Sequence, residues 1–361
     1  MNWKVKQLRN GVLGSVLCGI SVGVFALVSS GADFADALQR PAVQIAQAEK
    51  AVLLGAATSA SGRIVAVGER GLVVLSDDGG VHWRQAPTPV SVTLTAVRFG
   101  ADQRGVAVGH GGVVLTSTDN GESWIQRLDG VSVAQLAAAE AEASGDELMQ
   151  ESARLLRDEG PDKPLLDVHL GEAGELLVVG AYGLAFSSSD FGQTWTSWMG
   201  RLDNPDGMHL YSVRQHGQVI VIVGERGLVL RSTDSGEHFT PVDIPYAGSL
   251  FTVELLSPSE MVVAGLKGTV LRSQDGGGSW QALDAGSSAS LTASSLAANG
   301  SLYFVSQAGQ VLMLGPRRLT PVSSQPRAAL NGILVINPET VVLLSGSGVS
   351  TLRLGDEERR P

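Results

Sequence analysis

Three things are scarce in this sequence, and each scarcity excludes something. A single cysteine, Cys18, is present in 361 residues, so no disulfide framework and no thiolate metal site can be built from the chain. Aromatic residues make up 5% and charged residues 17%, against 43% hydrophobic, which is the reverse of a disordered composition. Cations are the minority charge, 26 against 36 anions, and the net charge of −10 opposes attraction to a phosphate backbone, so no nucleic-acid partner is expected. What is abundant is glycine, 45 residues, while proline is ordinary at 14. Excess glycine among many valines and leucines points to short strands punctuated by tight turns, and away from helical bundles or coiled coils.

The N-terminus reads as a targeting segment. Lys4, Lys6 and Arg9 precede an uncharged apolar stretch from Gly11 to Ser30, and Ala35-Asp36-Ala37 supplies a small-residue cleavage site. Residues 1–37 are therefore expected to be a signal peptide cut near Ala37. Retention as an anchor is the alternative, because about twenty residues could just cross a bilayer. Leu17 before Cys18 does not fit a lipoprotein signal. Export to a periplasm, or a lumen-equivalent compartment, follows, and Cys18 leaves with the signal.

Residues 38–361 are expected to form one domain built of repeats. Gly68-Glu-Arg-Gly71 leads to Ser76-x-Asp78-x-Gly80-x-x-Trp83, and the same grammar recurs at Gly109–Trp124, Gly180–Trp195, Gly224–Phe239 and Gly265–Trp280. The aspartates Asp78, Asp119, Asp190, Asp234 and Asp275 follow one another at about 41–44 residues, apart from one interval of about 71. Degraded copies of the first loop lie at Ser306–Gly309 and Ser345–Gly348, which makes seven units. Each carries four strand-like pieces: in the third unit they are Leu165–Leu170, Glu175–Val179, Leu184–Ser187 and Thr194–Trp198. The expectation is an all-β, seven-bladed β-propeller of four-stranded blades. The last unit shows three strands, and residues around Ala42 to Leu54 are expected to supply strands that close the ring.

The S-x-D-x-G-x-x-W motif is the Asp box. Its aspartate accepts backbone N–H bonds in a tight turn, its glycine permits positive φ, and its aromatic (Trp83, Trp124, Trp195, Phe239 or Trp280) packs on the sheet. Equivalent carboxylates spaced around a ring cannot converge on one substrate, so these residues are read as structural. His82 and His238 are read as turn variants. The remaining histidines lack metal-ligand spacing, and no metal or other cofactor is expected. No Ser-His-Asp elbow or phosphate-binding glycine loop is present, and no catalytic set is assigned.

Turns of a four-stranded antiparallel blade alternate between faces. The Asp boxes therefore share one face, and the G-x-x-G loops and interblade links share the other. An insertion over about 129–163, between the second and third blades, should overhang the G-x-x-G face. Ser132–Ala143 suits a helix, Ser144-Gly-Asp-Glu147 reads as a capping box, and Leu148, Ser152, Leu155 and Leu156 suggest an amphipathic second helix. The variable loop residues contribute Arg70, His110, Tyr182, Arg226 and Lys267, and Arg231 and Arg272 follow the third strand in two blades. On so acidic a chain, these cations are expected to gather on one face as a partner-binding surface.

The blades at Gly68–Trp83 and Gly224–Phe239 resemble those of the photosystem II stability/assembly factor family, and the resemblance spans about residues 50 to 354. It implies a seven-bladed propeller, lumenal in thylakoids, that holds a newly inserted reaction-centre subunit and contacts it through its own basic patch. Related exported proteins occur in non-photosynthetic bacteria. Arg70, Arg226, Lys267, Arg231 and Arg272 match basic positions of the blade pattern. The insertion and the degraded sixth and seventh blades depart from it. The expected function is a non-catalytic exported scaffold or assembly/stability factor. It would act as a monomer, able to associate peripherally with a membrane, on a membrane-protein complex or envelope client. Two alternatives stand beside it: a sialidase-like Asp-box glycoside hydrolase or glycan-binding propeller, and an accessory protein of an envelope export system.

Overall fold

The computed structural model describes residues 36–325 and 327–354, so the signal segment lies outside the described residues except for Asp36 and Ala37. The chain forms seven antiparallel sheets in which sequence order is also spatial order. The innermost strands are Leu53–Thr58, Leu94–Phe99, Leu165–Leu170, Leu210–His216, Leu250–Leu255, Leu291–Leu296 and Leu330–Asn337. Each lies beside the innermost strands of both neighbouring sheets, and Leu53–Thr58 meets Leu330–Asn337. The fold is a seven-bladed β-propeller.

The sequence explains why the blades stack. In blades one to six the second strand, such as Ile64–Gly68 or Met261–Gly265, is buried along its whole length, because the sheet is covered on both faces. Such strands are continuous apolar runs, not alternating ones. The core is correspondingly divided into clusters that each lie between two blades. One example joins Leu177, Val179 and Leu210 to Ile222 and Leu230 across blades three and four.

Six sheets have four strands. The seventh has three among the described residues: Leu330–Asn337, Thr340–Ser345 and Gly348–Arg353. The closing strand expected from Ala42–Leu54 is absent there, because Leu53 and Leu54 open the innermost strand of blade one instead. Residues before them form a strap on blade one. Ser91 N–H donates to Ala37 O, Ala42 N–H donates to Thr88 O, and the Gln85 amide bonds Val43 O and Ile45 N–H. Side chains then seal the seam, with Ala48 and Leu53 packed against Val342 and Leu344.

The insertion is two helices, α1 (Gly130–Ser144) and α2 (Glu147–Glu159), between blades two and three. Asp129 caps α1 by accepting from Ser132 N–H. The expected capping box is corrected: Ser144 ends α1, donating to Ala141 O, and Asp146 caps α2 by accepting from Leu148 and Met149 N–H. The inward face of α2 is Met149, Ala153 and Leu156, whereas Leu148 and Leu155 point to solvent. The helical pair rests on the Gly109–Gly112 loop, where Gly111 and Gly112 N–H donate to Asp162 and Lys163 carbonyls.

Candidate partner-binding face

Every G-x-x-G loop is built to the same plan. The N–H of its second residue donates to the carbonyl just before the blade's innermost strand: Glu69 to Val52, His110 to Thr93, Ala181 to Pro164, Glu225 to His209 and Leu266 to Ser249. The third residue then adopts the left-handed conformation, with φ of 54° at Arg70, 68° at Gly111, 57° at Tyr182, 54° at Arg226 and 57° at Lys267. This geometry separates the two variable positions. Glu69 and Glu225 turn back, their carboxylates accepting from Val52 and His209 N–H, while Arg70, Tyr182, Arg226 and Lys267 project outward. Arg70 and Lys267 make no ion pair among the described residues; Arg226 reaches Asp206 only at 4.0 Å.

The seven residues singled out from sequence do not share one surface. Arg70, His110, Tyr182, Arg226 and Lys267 lie on the loop face, one on each of five consecutive blades. Arg231 and Arg272 sit one residue before the serines of two aspartate turns, at the opposite end of their strands. There Arg231 donates to Pro258 O, and Arg272 pairs with Glu260, both in the turn between the first two strands of blade five. Within the loop face, Tyr182 and Arg226 are joined through one link: His209 Nδ1 accepts from Tyr182 N–H at 2.9 Å, and Asp206 faces Arg226.

An aromatic row runs inward from Tyr182. Tyr182, 52% exposed as a residue, lies with its ring edge-on to His209 at 4.9 Å, followed by Tyr211 and then Phe251 at 5.2 Å from Tyr211. Tyr211 and Phe251 belong to a series the sequence reading passed over. In all seven blades the residue after the leading leucine of the innermost strand is skipped by the pairing register, a β-bulge. These residues are Leu54, Thr95, Leu166, Tyr211, Phe251, Thr292 and Asn331, and they ring the mouth of the central channel. Where polar, they tie blades together: Thr95 donates to Leu165 O, Thr292 to Leu330 O, and Asn331 to Leu53 O across the seam.

Deeper in the channel lies a charged chain. Asp167 receives Arg98 Nη2 at 2.8 Å and Arg214 Nη1 at 2.6 Å, and Arg214 Nε reaches Glu254 at 3.2 Å. Ser212 and Val213 N–H complete Asp167, and Ser294 donates to Glu254. Burial would push the Asp167 carboxyl up, but the Arg98 and Arg214 guanidiniums hold it below the usual aspartate range. His169, on the same strand, is pushed down to about 4 by burial and then by Arg214 and Arg98. Asp167 is thus ionised and fully partnered, a poor general acid, and His169 is neutral at physiological pH. The signal for this chain is present: Arg98, Arg214 and Glu254 each stand fifth in an L-x-x-V-x strand, a charge at the same place in three innermost strands.

On the other face the five aspartate turns are saturated. In each, the first serine accepts from the glycine N–H and donates to Asp Oδ1; for Ser188 both distances are 2.8 Å. Asp Oδ1 also accepts the N–H four residues on, and Oδ2 takes a hydroxyl or, at His82 and His238, a ring nitrogen at 2.6 and 2.7 Å. The histidines therefore do a serine's task. Trp83, Trp124 and Trp195 donate to the turn glycine's carbonyl, Trp280 donates to Asp243 O, and Phe239 is buried without such a bond.

These bonds have a pH signature. The Thr194 hydroxyl and backbone N–H hold Asp190 at about 2, against 3.8 for the free group. The fold therefore binds fewer protons here than the unfolded chain between those values. The stabilisation is complete above about pH 4 and lost as pH falls towards 2. Asp190→Asn is expected to melt below the parent protein at pH 6 and to converge with it near pH 2, as followed by circular dichroism. A gap that persists unchanged at pH 2 would contradict this origin.

Comparison with known proteins places these features. Residues 156–320 match the family model described as Photosynthesis system II assembly factor YCF48. No curated protein matches the sequence. The structure of YCF48 from Cyanidioschyzon merolae is similar over 87% of this chain and 98% of that one, with 16% identity and a TM-score of 0.61. A GH74 xyloglucanase from Xanthomonas campestris is similar over 88% of this chain and 54% of its own, with 12% identity and a TM-score of 0.63. At these identities both show a shared propeller fold. YCF48 bound to a D1 peptide aligns over 54% of this chain and 68% of that one, with 21% identity and a TM-score of 0.42, too low to speak for a shared fold.

Proposed function

We propose that this photosystem II assembly factor-like propeller is a non-catalytic, exported scaffold that holds a membrane-protein client on its loop face. The observation that carries the reading is the left-handed geometry of the loops. It forces Arg70, Tyr182, Arg226 and Lys267 outward, and among the described residues Arg70 and Lys267 have no ion-pair partner. Exposed cations held on rigid turns favour a partner with carboxylates or another acidic surface. Arg231 and Arg272 have no part in this surface, because they sit on the other face. The family-model match supports the assembly role, and the leader-like sequence of residues 1–37, cations followed by an uncharged apolar stretch and small residues, supports export to a periplasm or equivalent lumen. The saturated aspartate turns and the fully paired Asp167 favour a binding protein over a glycosidase.

A pull-down from solubilised membranes tests the reading. The parent protein is expected to recover a membrane-protein complex, and the triple variant Arg70→Glu, Arg226→Glu, Lys267→Glu to recover at least tenfold less at an unchanged melting temperature. Equal recovery would overturn it. Turnover of a fluorogenic sialoside or glucan by the purified protein would favour the hydrolase alternative instead.

A further inference from the structure

We propose that blade seven takes its fourth strand from a partner protein, as an extended segment that begins with acidic residues. The outermost strand of a sheet exposes unpaired backbone groups, and blades one to six blunt theirs. Their fourth strands are two to four residues long, and two of them end in proline, Pro241 and Pro321. Blade seven instead presents its third strand, Gly348–Arg353, six residues with no proline and one charge. The neighbouring strand sets its phase. Leu354 N–H donates to Glu339 O and Arg353 stands opposite Thr340, so the even-numbered residues bond inward. Val349, Thr351 and Arg353 therefore turn their N–H and C=O groups to the open edge. In blades three to six the matching groups are used. There the carbonyls of Ala185, Val229, Val270 and Val311 accept from Trp198, Val242, Leu283 and Val322 N–H at the end of the fourth strand. Blade seven has no such bond among the described residues.

Charge selects the occupant. Residues 291–354 hold four arginines and one carboxylate, in a chain with 26 cations against 36 anions. Arg353 closes the open strand, and Arg317 and Arg318 lie at the same end of blade six, in the turn before its fourth strand. All three are exposed and make no ion pair among the described residues. Blade six walls one side of the edge, because Leu352 and Leu354 pack with its Met313 and Val322. On the other side the Thr351 methyl lies against Gly80, in the aspartate turn of blade one. An antiparallel fourth strand would enter beside Arg353. Carboxylates at its start meet the arginines, and uncharged β-branched residues follow beside Thr351 and Val349. The strap cannot serve, being bonded to blade one. A second copy of this chain would bring its own three arginines to the same seam, so like charges oppose it. The site lies on the rim, apart from the loop face, and stands even if the loop cations have no partner.

Fluorescence anisotropy of the full chain with a labelled Asp-Glu-Thr-Val-Thr-Val peptide tests the edge. Saturable binding is expected, and the bound peptide should slow amide exchange across Gly348–Leu354 at least tenfold. Two control peptides are each expected to bind at least tenfold more weakly: one methylated on alternate backbone nitrogens, the other with lysines for its two acids. Thr351→Pro removes an outward N–H without touching the inner pairing, and should weaken binding at least tenfold at an unchanged melting temperature. Should it melt early, Arg353→Glu gives the second readout, a reversed preference between the acidic and lysine peptides. Absence of binding, indifference to methylation or to both substitutions, or binding without slowed exchange overturns the proposal. So does a sedimenting dimer that Thr351→Pro dissociates, or a peptide that binds only after residues 355–361 are removed, since either gives the edge another occupant.

Discussion

Asp167→Ala is expected to destabilise the propeller by about 3–5 kcal/mol, the cost of removing one member of a buried ion pair. The substitution does more than delete a bond. Asp167, whose side chain is 6% exposed, is the sole ion-pair partner of Arg98 among the described residues and shares Arg214 with Glu254. Its loss leaves Arg98 without a paired carboxylate among the described residues and Arg214 with Glu254 alone, and it strips an acceptor from the Ser212 hydroxyl and from Val213 N–H. For a domain of this size the change is a drop in melting temperature on the order of 10 °C. Asp167→Asn keeps the volume and hydrogen-bonding capacity but not the charge, and should fall between the two. If Asp167→Ala melts within a degree or two of the parent, the channel charges are solvated surface groups, and their pairing carries no structural weight.

Gly227→Ala should cost about 2–4 kcal/mol, the sum of two separable effects. With φ at +80°, an L-residue pays roughly 1–2 kcal/mol for the left-handed conformation. A Cβ there would stand 2.1 Å from Tyr246 O, in the link to the next blade, so backbone must shift, as in overpacked cores at about 1–3 kcal/mol. Gly79→Ala isolates the first effect: φ is +74°, but nothing lies within 4 Å of the added carbon. Chemical denaturation of the two variants should show Gly227→Ala as the more damaging by at least 1 kcal/mol. Equal losses would mean that the loops fit against the links more loosely than their geometry requires. The same close approach recurs at Gly71 and Gly268, so the loops of blades one, four and five are gauged against the link beyond each of them.

The parts of this molecule that could be read in its sequence are those set by local chemistry. The S-x-D-x-G turns announce themselves because each closes its hydrogen bonds within eight residues. The leading leucines of the innermost strands stand where the repeat puts them. What escaped depends on relations between blades. The bulge after each leading leucine has no residue type of its own, being Leu, Thr, Tyr, Phe or Asn, because it is set by how neighbouring inner strands crowd around the channel. The partnership of Arg98, Asp167, Arg214 and Glu254 joins four successive blades, and only the stacking of those blades brings them together. Arg231 and Arg272 resemble the loop cations in charge, yet strand direction carries them to the far face. In the insertion, Ser144 and Asp146 both offer an oxygen. Asp146 caps α2 because Gly145 ends α1 in the left-handed conformation, with φ of +70°.

The strap and the seam bear on how such a chain can be assembled. Within a blade every strand pairs with its sequence neighbour, and successive blades pack on each other, so six of the seven interblade contacts join neighbouring stretches of chain. The bond from Asn331 to Leu53 is the exception, spanning 278 residues. The entropy of drawing the ends of so long a loop together, on the order of 5 kcal/mol, falls on that one step. It is met by side-chain packing and not by a shared sheet. The ring's topology is therefore indifferent to where the chain begins. A circular permutant opened in another interblade link, with the present seam joined by a short peptide, would retain every strand pairing and move only the place at which the circle is completed.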